Sequence, residues 1–194
     1  MARVGRWIWV TLALLLFATA AGAALPHFAF ELQAPHAAHR STAVLDEGLR
    51  QALDAGIAKS EPDTVEKAVD FSLAVTDKIL HFGLSHPTSK TFTITPREAN
   101  CIEYAELFAR VFDKAAAEKH LPARAFVVHS DKARFFGQKV PMKGWGDHDW
   151  VLIEDKSGDD KAPPRRWYVD PTLHDAGLGW DISSNVKGEI KLPR

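Results

Sequence analysis

Asn100-Cys101-Ile102-Glu103-Tyr104-Ala105-Glu106-Leu107-Phe108-Ala109-Arg110-Val111-Phe112 is the stretch on which the reading of this chain turns. An oxygen-bearing side chain with Glu three positions on has the form of a capping box, so Asn100 reads as the start of a helix. Thr95-Pro96-Arg97-Glu98 has the same form. Asn100 is the better start, because it sets Cys101, Tyr104, Ala105, Phe108, Val111, Phe112 and Ala115 on one face of a helix running to about Lys119. Cys101 then sits in the first turn and points inward.

Two further helices are expected upstream. Val44, Leu45, Leu49, Ala52, Leu53 and Ile57 recur at helical spacing from Ser41 onward. Ser60, Pro62 and Asp63 mark the start of the next, with Val65, Ala68, Val69, Leu73, Thr76, Ile79 and Leu80 as its buried stripe, Gly83 as its stop and Pro87 beyond. Lys90 to Thr95 alternates, is rich in β-branched residues and predicts an extended approach to the central helix. After Pro122 the period changes: Ala125–His129, Asp149–Glu154 and Arg166–Asp170 read as strands, separated by the stretch 130–147 and the turn-rich Asp155–Pro164. Helices first and strands after, joined by hairpin connections, predict an α+β fold with an antiparallel sheet. The tail from Gly177 to Arg194 reads as irregular.

Length and composition bound the rest. The chain has 194 residues, 46% of them hydrophobic, enough for one well-buried core. Basic and acidic residues number 24 and 25, so no global field gathers a polyanion, and nucleic acid is not an expected partner. Phosphate loops, dinucleotide fingerprints, paired cysteines at metal spacing and long repeats are missing from the sequence. Neither a metal nor any other cofactor is expected. Arg3 and Arg6 precede an uncharged run from Trp7 to Leu25 that ends in Ala21-Gly22-Ala23, with Pro26 just beyond. Basic, then apolar, then small residues is the order of a secretory signal peptide, and the run is also close to the ~20 residues that span a bilayer as an uncleaved anchor. Either reading sends the rest of the chain outward, to a periplasmic or other extracytoplasmic location, anchored to the inner membrane if the segment stays. Residues 26 to about 40, with Pro26, Pro35, His27, His36 and His39, read as a linker; no carboxylate or thiol at fixed spacing makes the histidines a metal cluster. A single domain over residues 41–194 is expected to follow.

Exported chains of this size often use cysteines in pairs, whereas this one has a single thiol. Alone, a cysteine on an apolar helix face is more often a small core residue than a nucleophile. His148 and Asp170 change that balance. With the last connection centred on Asp159, His148 faces Asp170, Trp150 faces Tyr168 and Leu152 faces Arg166, and opposed residues have Cβ atoms ~4.5–5.5 Å apart. A slip of one residue would put His148 and Asp170 on opposite faces. A thiol at a helix N-terminus beside an imidazolium is set up to act as a nucleophile, the ring then serving as base and acid and a carboxylate fixing its orientation. His129 and Asp131 form a rival pair without flanking signatures, and Gly144-Trp145-Gly146 reads as a flap over the cleft or as a packed turn.

Asn100-Cys101-x-x-Tyr104-Ala105-x-x-Phe108-Ala109, Leu121-Pro122-Ala123-Arg124, His148-Asp149-Trp150-Val151 and Trp167-Tyr168-Val169-Asp170-Pro171-Thr172, in that order, resemble the core of the transglutaminase-like superfamily over roughly residues 90 to 175. The resemblance implies a papain-like core: N-terminal helices, with a central Cys-bearing helix packed on an antiparallel sheet. It implies catalytic roles for Cys101 as nucleophile, His148 as base and Asp170 as orienter. Ala99 stands where the family commonly has Gly, and no Gln or Trp lies between Ala52 and Asn100 to help hold an oxyanion, so the one donor assigned is the Cys101 N–H. The implied activity is that of an exported peptidase, amidase or acyltransferase acting on a peptide or protein substrate in the cell envelope. The alternative is a non-catalytic binding or scaffold domain that keeps the fold.

Overall fold

The computed structural model describes residues 30–33, 37–83, 87–135, 138–139, 147–158, 162–188 and 190–193. The segment read as a signal peptide or anchor, along with His27, His36 and Gly144-Trp145-Gly146, lies outside them. Among the described residues no helix is long and apolar enough to cross a membrane.

The arm before Ser41 is not the irregular linker that its prolines suggest. It contributes β1 (Phe30–Gln33), paired with the strands Ala133–Phe135 and Val186–Lys187, and β2 (Ala37–His39), paired antiparallel with the strand Ala123–Ser130. Leu32 is fully buried, so even this short alternation anchors. Val44 and Leu45, which fit a helical spacing, instead form β3 (Val44–Leu45), with Leu45 buried and Val44 exposed as alternation requires. Helix α1 (Glu47–Ser60) starts at Asp46, whose carboxylate accepts the Leu49 N–H at 2.7 Å. Helix α2 (Val65–Ile79) starts at Thr64, four residues later than Ser60 implies. The reason is local: Ser60 is still the last residue of α1, and Glu61 closes that helix in the left-handed region at φ 47°, its N–H bonded to the Ile57 carbonyl.

Strands β4 (Leu80–Phe82), β5 (Thr91–Phe92) and β6 (Arg97–Ala99) then lead to α3 (Cys101–Glu118); β5 runs parallel to β3 and β6 parallel to β4. Beyond α3 come β7 (Ala123–Ser130), β8 (Ala133–Phe135), β9 (Gln138–Lys139), β10 (His148–Asp155), β11 (Arg165–Val169), α4 (Pro171–Asp175) and β12 (Val186–Lys187). The main sheet, β11-β10-β7-β2, is antiparallel throughout. A second sheet has the order β12-β1-β8-β9. The fold is α+β, as the order of helices and strands implies.

Helix α3 sits at the centre. Ala105, Phe108, Ala109, Phe112 and Ala115 pack on Ala125, Val127, Val151 and Ile153 of the main sheet and on α2. Tyr104, Leu107 and Val111 face Leu49 and Leu53 of α1. The sheet's other side (Val128, Trp150 and Leu152) packs on Leu32, Ala133, Ile182 and Ile190. The helix is thus buried on several sides rather than on the single stripe its periodicity shows.

That burial takes a charge with it. Glu106 is fully buried on α3, and its carboxylate accepts from Lys90 Nζ at 2.6 Å, the Thr42 N–H at 2.7 Å and Ser41 Oγ at 2.9 Å, with His39 Nε2 at 3.2 Å. Burial alone would raise its pKa, but these partners outweigh it and hold the group at about 2. Glu106 thereby fastens the arm and the segment before β5 onto the central helix. Glu106→Ala should lower unfolding stability by on the order of 3 kcal/mol in urea titration. Because the folded-state value is depressed, this stabilisation is present above pH 4.5 and is lost as pH falls toward 2. The acid-induced loss of stability over that window should therefore be shallower in the variant.

Candidate active site

The first turn of α3 is fixed before any reactive group is considered. Asn100 Oδ1 accepts the N–H groups of Ile102 and Glu103 at 3.1 and 3.3 Å, and Glu103 Oε2 accepts the Asn100 N–H at 3.1 Å, completing the capping box. Glu103 is fully buried; it pairs with Arg97 and accepts the Ser89 N–H at 3.0 Å. Asn100 Nδ2 donates to Thr88 Oγ1 at 2.9 Å. Strands β4 and β6 and the segment around Ser89 thus hold the cap from outside. Cys101 follows it, half-buried, with its own N–H outside the two bonds that the Asn100 side chain makes.

His148 opens β10, and Asp170 directly follows β11. The register between these strands pairs Leu152 with Tyr168 and Glu154 with Arg166, two residues away from a connection centred on Asp159. A shift of two preserves the face, whereas a shift of one would have reversed it. The consequence is that His148 and Asp170 meet diagonally rather than directly opposite, and they still close to 2.6 Å between Nε2 and Oδ2. Asp170 is fully buried and divides its oxygens: Oδ2 takes the ring, and Oδ1 accepts the N–H groups of Thr172 and Leu173 at 3.0 and 3.1 Å as the N-cap of α4. The same ring also makes a side-chain hydrogen bond with Cys101.

Cys101, His148 and Asp170 therefore come together in series. Burial disfavours charge on His148, but the charge and hydrogen bond of Asp170, followed by the hydrogen bond and charge of Cys101, outweigh it and raise the ring well above the usual 6.5. That shift favours the imidazolium form of the ring beside the sulfur. That is the setting in which thiolate nucleophiles operate.

A second histidine–carboxylate contact exists. His129 Nδ1 lies 2.6 Å from Asp149 Oδ1, the two residues directly opposed on β7 and β10. The carboxylate that faces His129 across the strands is that of Asp149, which leaves the strand on the face opposite His148. The chain's single cysteine contacts His148, so the His129 pair has no thiol. Two further contacts lie beside α4: Tyr104 Oη donates to Asp175 Oδ2 at 2.7 Å, and His174 Nδ1 lies 2.8 Å from Asp77 Oδ2. In the sequence Tyr104 is a core position of the helix and a residue of the Asn100-Cys101-x-x-Tyr104 motif, with no polar role assigned to it. The signal for its polar role was its place three residues after the cysteine, with nothing in the sequence to indicate its partner. Among the described residues no group of three or more His, Cys, Asp or Glu is arranged to hold a metal ion. Comparison with protein-family models, curated proteins and solved structures finds no match for this chain.

Asp170→Asn tests the electrostatics apart from the cap, since Asn caps helices about as well as Asp. Asp170→Asn should lower the titration of His148, followed by NMR of its ring protons, because the largest influence opposing burial is removed and only that of Cys101 remains. Asp170→Ala should move the ring similarly and lose ~1 kcal/mol more stability through the missing cap.

Proposed function

We propose that this chain is an exported, transglutaminase-like cysteine enzyme with a papain-like core, a peptidase, amidase or acyltransferase acting on peptide or amide bonds of a peptide or protein in the cell envelope. The observation that carries the proposal is the unbroken contact series from Cys101 through His148 to Asp170, with the sulfur at the capped start of a buried helix. Export rests on the order of basic, apolar and small residues from Arg3 to Ala23.

In the proposed reaction the Cys101 sulfur attacks the carbonyl carbon of the scissile amide, forming a C–S bond and an oxyanion. The Cys101 N–H donates to that oxyanion, reinforced by the helix dipole. The imidazolium of His148 gives its proton to the leaving amine as the C–N bond breaks, and a thioester remains on Cys101. His148, now neutral, takes a proton from water or from an incoming amine, which attacks the thioester carbonyl; the C–S bond breaks, releasing the acid or the new amide and leaving the sulfur as thiolate beside the reprotonated ring. Asp170 keeps the ring aimed and stabilises its charged form throughout.

Alkylation separates this enzyme from a non-catalytic scaffold domain. Iodoacetamide should label Cys101 at pH 6 at least ~10-fold faster in the wild type than in His148→Ala, because a neutral, unpaired thiol reacts slowly there. Turnover follows as the second measurement. On a panel of glutaminyl peptides and peptidyl anilides, with and without hydroxylamine as acceptor, Cys101→Ala should reduce product formation by on the order of 10³-fold or more. A Cys101 that alkylates no faster than an ordinary buried thiol would leave only the scaffold reading.

A further inference from the structure

Helix α4 has five residues and begins at the carboxylate that orients His148. A helix that short does not hold itself together, and Pro171 in its first turn presets only its start. Tertiary contacts at its far end must set its direction. Two are in place: His174 Nδ1 lies 2.8 Å from Asp77 Oδ2 on α2, and Asp175 Oδ2 accepts from Tyr104 Oη on α3 at 2.7 Å. We propose that Tyr104 and the His174–Asp77 pair are positioning residues, which set the aim of Asp170 at His148 by clamping α4 to the helix that carries Cys101.

The geometry closes a ring. Cys101 and Tyr104 are three residues apart on α3 and share a face. From Cys101 the contacts run to His148 and to Asp170; Asp170 is tied through two backbone N–H groups to the first turn of α4; Asp175 at the other end of α4 returns to Tyr104. Five residues of helix span ~7.5 Å, so displacement at the clamped end passes almost undiminished to the cap. An error of ~1 Å at a reacting group is enough to cost on the order of 100-fold in rate.

The chemistry of the clamp suits a geometric role better than a purely stabilising one. Tyr104 is fully buried, and burial first, then the Asp175 hydrogen bond, pushes its hydroxyl far above the normal phenol range, so it remains a neutral donor. Asp77 is raised above the usual carboxylate range by burial, a cost that His174 offsets only in part, and among the described residues its buried Oδ1 has no hydrogen-bond partner. Apolar side chains would hold α4 without those desolvation costs. Directional bonds to two helices fix its angle as well as its position.

The proposal rests on the Cys101–His148–Asp170 reading, and its test is built to tell the two apart without a known substrate. In the full chain, Tyr104→Phe/His174→Ala would be compared with wild type and with Asp170→Asn by the NMR titration of His148 and by the rate of iodoacetamide labelling at pH 6. The double variant, shown by circular dichroism to be folded, should move His148 most of the way toward its Asp170→Asn value and slow labelling ~10-fold. His174→Asn, whose amide N–H₂ can replace Nδ1 as donor to Asp77, should restore both readouts relative to His174→Ala. Tyr104→Phe alone keeps the ring in the core and should slow labelling several-fold, which serves if the double variant does not fold. Unchanged titration and labelling in folded Tyr104→Phe and His174→Ala chains, with Asp170→Asn still lowering His148, would overturn the clamp and leave the triad standing. An unmoved His148 in Asp170→Asn would overturn both.

Discussion

The first turn of a helix needs partners for amides that no preceding turn supplies, and the start of α3, part-buried at Asn100, Cys101 and Ile102, finds them within the protein. Asn100 and Glu103 meet that requirement reciprocally, and the surroundings then have to satisfy Glu103, a fully buried carboxylate. Arg97 and the Ser89 N–H do so, which explains why short strands and an ordered segment wrap this end of the helix. The position of Cys101 is a by-product of that wrapping. A sulfur one residue beyond a rigid cap has little freedom, and the sheet needs only to bring a ring to it.

The same logic recurs along the helix. Glu106, one turn further on, is satisfied by residues from the arm and from the segment before β5, so two buried carboxylates on α3 organise chain segments remote in sequence. Burying a charge is expensive unless it is fully paired, and removal of a single partner is felt by the whole set. The apolar faces of α3 supply the bulk of the burial. The carboxylates select which loops lie over which end, and therefore which end of the sheet meets the sulfur.

The elements that were legible in the sequence are those with long periodic patterns or paired cap residues: α3 from Asn100, the interiors of α1 and α2, and the strands carrying Phe126, Trp150 and Trp167. The short pairings were hidden. Val44 and Leu45 satisfy a helical spacing as well as a two-residue strand, and only the presence of Thr91 and Phe92 beside them decides the matter. Strands β1 and β2 are three or four residues long between prolines and histidines, too brief for alternation to register, yet β2 covers an edge of the main sheet that would otherwise be open. The β10–β11 register was displaced by two residues because its connection is not symmetric about Asp159. The pairing of His148 with Asp170 was insensitive to that displacement, since parity rather than exact opposition decides the face. The contacts of Tyr104, Asp77, His174 and Asp175 join three helices, and no spacing in one sequence encodes such a meeting.

Charge balance explains why these pieces need one another. A buried imidazole left alone would be neutral. Asp170 reverses the preference of His148 against the cost of burial, and it does so while its other oxygen is held by the amides of α4. Those amides hold the carboxylate stationary, because two N–H groups of one helix turn grip a single oxygen. The helix that supplies them is too short to stand without Tyr104 and His174 at its far end. The charge on His148 thus depends on backbone geometry two contacts away, and among the described residues the shortest helix is coupled to the sulfur at the start of the longest.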